Sequence, residues 1–144
     1  MKTCILYFSR TGNTKRMAEA IAKLSGAPIF DIAQLEPSVV EEFDMLIIGM
    51  PVEGFRPAKE PFAWIESLPK TEHKKVILFC TYALYKGGTF KKLEKSLGNK
   101  GYQTVLSVSK KGMKPDRPAD FSETLAEIQK NNRTAAHWCI KRRR

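Results

Sequence analysis

Short apolar runs alternate along this chain with amphipathic stretches, and no other feature limits its fold as sharply. The runs are TCILYF (Thr3 to Phe8), PIFDI (Pro28 to Ile32), MLIIGM (Met45 to Met50), VILFCT (Val76 to Thr81) and TVLSVS (Thr104 to Ser109). Several are continuously rich in Ile, Leu, Val and Phe, as strands buried on both faces must be. Between them the apolar residues return at helical spacing: Met17, Ile21 and Leu24; Phe62, Ile65 and Leu68; Phe90, Leu93 and Leu97; Phe121, Leu125 and Ile128. Pro118, Asp120 and Glu123 supply a start signal of capping-box type for the last of these. Only a short, weak helix around Pro37 to Glu42 fits between the second and third runs. Strand and helix in alternation predict an α/β domain in three layers, a five-stranded, doubly wound parallel sheet covered on both faces.

At 144 residues the chain has the size of one domain. Residues 1–130 read as that domain and 131–144 as a basic tail. No run approaches the roughly 20 residues needed to span a bilayer. The N-terminus lacks a signal-like cleavage site, so the expected location is the cytoplasm. Cys4, Cys80 and Cys139 form neither a CxxC pair nor a metal-ligand cluster, which argues against a disulfide scaffold or structural zinc. The net charge is +10, of which four charges belong to the closing Lys141, Arg142, Arg143 and Arg144. Such a surface suits anionic partners, an acidic redox protein among them. Apart from KRRR there is no basic cluster with stacking aromatics, so nucleic acid is not an expected partner.

The strongest chemical signal is the turn that follows the first strand: Ser9, Arg10, Thr11, Gly12, Asn13 and Thr14. Leaving the carboxyl end of a parallel strand and opening a helix, it offers unpaired amides and the positive end of a helix dipole to an anion. Ser9, Thr11 and Thr14 can each donate an O–H to phosphate, Asn13 adds an amide, and Gly12 permits close approach or a positive φ. Neither GxxxxGK[ST] nor GxGxxG is present, so nucleotide triphosphate and dinucleotide loops are unsupported. Cys4, Arg10 and Thr11 match the C-x5-R-[ST] spacing of a tyrosine phosphatase loop. The intervening residues are strand-like and contain no glycine, which places Cys4 inside the strand with a thiol suppressed by burial.

SRTGNT after ILYF resembles the phosphate loop of the flavodoxin family, whose [ST]-x-T-G-x-T pattern binds the phosphate of FMN. The resemblance covers residues 1 to about 130 and implies the strand order 2-1-3-4-5 with FMN at the switch between the first and third strands, flavodoxin being the standard example of that arrangement. It implies further that two loops enclose the flavin ring: Met50, Pro51, Val52, Glu53, Gly54 and Phe55 after the third strand, and Thr81, Tyr82, Ala83, Leu84, Tyr85, Lys86, Gly87 and Gly88 after the fourth. Tyr82, Tyr85 and Phe55 are candidates to stack on the ring, and the peptide joining Glu53 to Gly54 is the candidate to accept the ring N5 hydrogen. Well-known members of the family are acidic, whereas this chain is basic.

An FMN-binding, low-potential electron carrier between redox partners is the function this implies. Two rivals use the same fold: an NAD(P)H-dependent FMN or quinone reductase, and a binding module that has lost FMN and holds an acidic partner or RNA. Trp64 reads as half-buried packing, His73 and His137 as surface residues, and Cys80 as a buried thiol. Lys91, Lys92, Lys95 and Lys100, with Lys110, Lys111 and Lys114, read as solvated faces that could form a docking patch.

Overall fold

The computed structural model describes residues 2–10, 12–53, 56–72, 74–82 and 88–111, together with residues 126 and 130. The expected helix around Phe121, Leu125 and Ile128 and the tail from 131 lie outside these, except that Ala126 and Lys130 are helical.

Five parallel strands form the sheet: β1 (Thr3–Tyr7), β2 (Ile29–Asp31), β3 (Met45–Glu53), β4 (Lys74–Tyr82) and β5 (Tyr102–Lys111). Their spatial order is 2-1-3-4-5, as the resemblance implied. Three α-helices, α1 (Asn13–Ser25), α2 (Lys59–Glu66) and α3 (Thr89–Gly98), fill the crossovers, and Pro37–Glu42 is the short helix expected there, wound as 3-10. No helix among the described residues is long and apolar enough to cross a membrane.

Period-2 alternation sorts the strand residues onto two faces. Ile5, Met45, Ile47, Ile77 and Phe79 pack with Met17, Ala18 and Ile21 of α1. Cys4, Leu6, Leu46, Ile48, Met50, Val76 and Leu78 pack on the opposite face with Ile65 and Leu68 from α2 and the turn after it, and with Leu93 and Leu97 of α3. Each central strand is therefore apolar at consecutive positions because neighbours in sequence enter different cores. Leu24 departs from the spacing prediction: it sits in the last turn of α1, 49% exposed, outside both cores.

The largest departure concerns the third strand. It does not stop at Met50 but runs to Glu53, and Arg56–Pro57 turns back to pair with it antiparallel, Glu53 opposite Arg56 and Val52 opposite Pro57. Pro51 reads as a strand breaker because it has no N–H to give. Here it lies beyond the end of β1, whose pairing with β3 stops at Tyr7–Gly49, and its carbonyl accepts from Ala58 N–H at 3.2 Å. β5 is also longer than its apolar run, and carries one extra residue, Val105, between the Val76–Thr104 and Ile77–Leu106 pairs.

Trp64 is half-buried, as expected, and its indole N–H donates to Leu35 O at 2.9 Å. Lys100 is no solvated side chain: its ammonium donates to Leu68 O at 3.1 Å. Lys91, Lys92 and Lys95 are exposed on α3. His73, Lys114, His137 and Cys139 lie outside the described residues, as do the side chains of Lys110 and Lys111.

Gly49, midway along β3, is required by its neighbour. It pairs in register with Phe79, and a Cβ built on it would fall 1.9 Å from the Phe79 ring, which is itself buried. Gly49→Ala is therefore expected to destabilise the fold by about 1–3 kcal/mol, the usual cost of overpacking, read as a lower urea midpoint at unchanged slope. Combining it with Phe79→Leu should recover part of that loss.

Candidate functional site

Parallel strands direct their carboxyl ends to one edge, so the turn after β1, the hairpin at the end of β3 and the end of β4 meet there. Phe8 N–H donates to Gly49 O at 3.1 Å and stitches the end of β1 to β3. The chain then turns through Ser9 and Arg10 into α1. Gly12, the residue before the first helical position, takes φ +93°, a left-handed conformation that L side chains rarely adopt. Its N–H donates to Ser9 Oγ at 3.0 Å. Among the described residues no side chain caps the start of the helix, and its first turn carries no acidic residue. The amides of Asn13, Thr14 and Lys15 consequently have no partner within α1, and they project along the positive end of its dipole.

Thr14 is buried, and its hydroxyl meets that of Thr81 at 2.7 Å. Thr81 ends the apolar run of β4 two residues after Phe79 and so shares the face that α1 covers. This contact joins residues 67 apart in sequence and couples the turn to the fourth strand. The Asn13 side-chain carbonyl accepts from the Arg16 guanidinium one turn on. Arg10 is directed to α2: its guanidinium forms an ion pair with Glu60 and lies 5.1 Å from the centroid of the Phe8 ring. The hydrogen bond from Arg10 holds the Glu60 carboxyl below the usual carboxylate range.

The segments expected to enclose the ring are placed unevenly. The Met50 side chain is fully buried beneath α2 and α3, whereas Pro51 and Val52 are half-buried at the edge. The backbone of Glu53 closes the hairpin. Tyr82 is half-buried at the end of β4, and Gly88 is exposed just before α3. Thr11, Gly54, Phe55, Ala83, Leu84, Tyr85, Lys86 and Gly87 lie outside the described residues. Glu60, Phe8 and the Thr14–Thr81 contact were not read from the sequence. A threonine closing an otherwise apolar strand was the available signal, since a buried hydroxyl needs a partner.

Cys4 lies mid-strand, paired with Leu46 and fully buried. Burial pushes its thiol up to about 12, with Lys74 partly opposing the shift. It is therefore inert at neutral pH and is not the nucleophile of a phosphatase loop. Cys80 is buried as well. Among the described residues no group of three His, Cys, Asp or Glu could hold a metal ion.

A doubly wound parallel sheet of order 2-1-3-4-5, with its first helix opening where β1 and β3 adjoin, defines a flavodoxin-like architecture. The family model for the flavodoxin domain matches residues 4–137, and the chain belongs to that family. It is 30% identical over 115 residues to an uncharacterised protein of Methanocaldococcus jannaschii, covering 78% of this chain and 76% of that one. It is 36% identical over 87 residues to the flavodoxin of Megasphaera elsdenii, covering 54% of this chain and 63% of that one. The crystal structure of oxidised flavodoxin 1 from Bacillus cereus shares the fold, with a TM-score of 0.71 at 23% identity over 90% of this chain and 98% of that one.

The buried thiol gives a prediction with a definite sign. Its folded pKa stands above the value it has when unfolded, so its contribution to stability is whole below that ordinary value and is lost as the pH climbs through the folded one. Tyr102, whose O–H donates to Pro69 O at 2.7 Å and which burial pushes up to about 12, behaves alike. Stability is expected to fall as pH rises from near 9 to about 12. Iodoacetamide at pH 8 should leave the Cys4 peptide unlabelled until urea unfolds the chain, as read by peptide mass.

Proposed function

We propose that this chain binds FMN at the carboxyl edge of its sheet and serves as a low-potential, cytoplasmic electron carrier between redox partners. Residues 1–130 would form the binding unit and 131–144 a basic tail. The observation that supports this most is the uncapped first turn of α1, set by Gly12 at the junction of β1 and β3 in a chain of the flavodoxin family. A phosphate monoester matches that donor set in charge and shape: two negative charges against open amides, a helix dipole and hydroxyls.

Ser9, Gly12, Asn13 and Thr14, with Thr11 and Arg10 from the same motif, would hold the phosphate. The segments Met50–Phe55 and Thr81–Gly88 would enclose the ring, Met50 through its backbone since its side chain is in the core. Bound FMN supplies the redox chemistry, and the protein's part is to bind, orient and exclude water. No side chain need act as acid, base or nucleophile. A net charge of +10 favours a negatively charged reduced ring and an acidic docking partner. The exposed Lys91, Lys92 and Lys95 belong to the surface such a partner would meet.

The test is a titration of the purified chain with FMN. Flavin absorbance should shift on binding and travel with the protein through gel filtration, and inorganic phosphate should compete. Riboflavin, which lacks the dianion, should bind at least about tenfold more weakly, as the loss of charge-assisted hydrogen bonds dictates. The bound cofactor's potential should become more negative as salt screens the surface charge. A chain that takes up no FMN overturns the reading, and steady NADPH oxidation by the protein alone would replace the carrier with a reductase.

A further inference from the structure

We infer that Thr81 is a positioning residue for the phosphate end of the site: its hydroxyl donates to Thr14 Oγ1 and leaves the Thr14 O–H to be given to the bound phosphate. This rests on the FMN reading above and deepens it.

A threonine hydroxyl has one hydrogen to donate and lone pairs to accept with. When two such groups meet at 2.7 Å, one donates and the other keeps its hydrogen for a different acceptor. Both side chains are buried, Thr14 at 1% and Thr81 at 4% exposure. Each therefore depends on the other in the absence of solvent. Thr14 occupies the second position of α1, beside the open amides. Thr81 is on a strand, two residues beyond the core residue Phe79, and is not part of the turn. The pair has two states. If Thr14 donates to Thr81, its hydrogen is withheld from the turn. If Thr81 donates to Thr14, the Thr14 O–H is released, and its oxygen is polarised by the bond it accepts.

A dianion at the end of α1 favours the second state, because an O–H donated to a charged oxygen is stronger than one donated to a neutral hydroxyl. Without the Thr81 hydroxyl, Thr14 loses the donor that fixes its rotamer. Its own hydrogen is then no longer held toward the anion and is free to rotate away from it. Thr81 thus serves the phosphate through Thr14, although the family resemblance grouped it with the ring-binding loop.

The decisive measurement is the ratio of FMN to riboflavin affinity in the full chain carrying Thr81→Val, which keeps the shape and removes the hydroxyl. FMN affinity should fall about tenfold while riboflavin affinity stays within twofold, and Thr81→Ser should restore the wild-type ratio. Thr14→Val should cause a similar loss, and the double variant should lose little more than either single one. Where Thr81→Val does not fold, Thr81→Ala is read by the same ratio, which a general loss of stability does not move. A Thr81→Val chain with the wild-type ratio, or with both affinities reduced equally, overturns the inference and leaves FMN binding intact. A wild type that shows no preference for FMN over riboflavin overturns both.

Discussion

Two parallel strands cannot be joined by a tight turn, and the organisation of this molecule follows from that constraint. Each connection must cross a face of the sheet, and the right-handed crossover leaves the strand ends on one edge. With β1 lying between β2 and β3, the connections on its two sides cover opposite faces. The turn that leaves β1 consequently emerges between these connections, and the first turn of α1 is left with amides that nothing in the helix can satisfy. The apolar strands matter to the site chiefly because they hold this turn in place.

That turn is tied down on two sides by quite different interactions. On its inner side, Thr14 and Thr81 share a buried hydrogen bond between the first helix and the fourth strand. On its outer side, Arg10 reaches Glu60 at the start of α2 and lies over Phe8. The outer pair is exposed and contributes little to stability, as surface ion pairs generally do. The inner contact is shielded from water, where losing one partner leaves a polar group unsatisfied. Rigidity at this turn therefore comes mainly from the core side, and the exposed arginine can move without exposing a buried polar group.

The positive charge of this chain leaves its fold largely untouched. Its lysines on α3 are exposed and make no contribution to the two cores, whereas Lys74 and Lys100 place their ammonium groups on Val40 O and Leu68 O at the opposite end of the molecule. Charge on the exposed face of α3 can thus be changed while Lys74 and Lys100 stay fixed. Surface charge can thereby vary on a constant frame.

Much of this was written in the order of the residues. Runs such as VILFCT and MLIIGM, with helical spacings between them, dictate a parallel sheet covered on both sides, because strands that are apolar at every position have no face to give to water. SRTGNT marked the turn that opens the first helix as the candidate anion site, since its hydroxyls and glycine follow a buried strand. The hairpin beyond Met50 was hidden by Pro51, whose missing N–H is harmless only because β1 has already ended there. The Thr14–Thr81 contact and the Arg10–Glu60 pair could not be read at all: they join residues 67 and 50 positions apart, and such proximity is created by strand register and helix placement. Local order in the chain specified which elements form and which turn carries charge, while the packing of those elements decided which side chains meet, because hydrogen bonds act over about 3 Å and the sequence records no such distances.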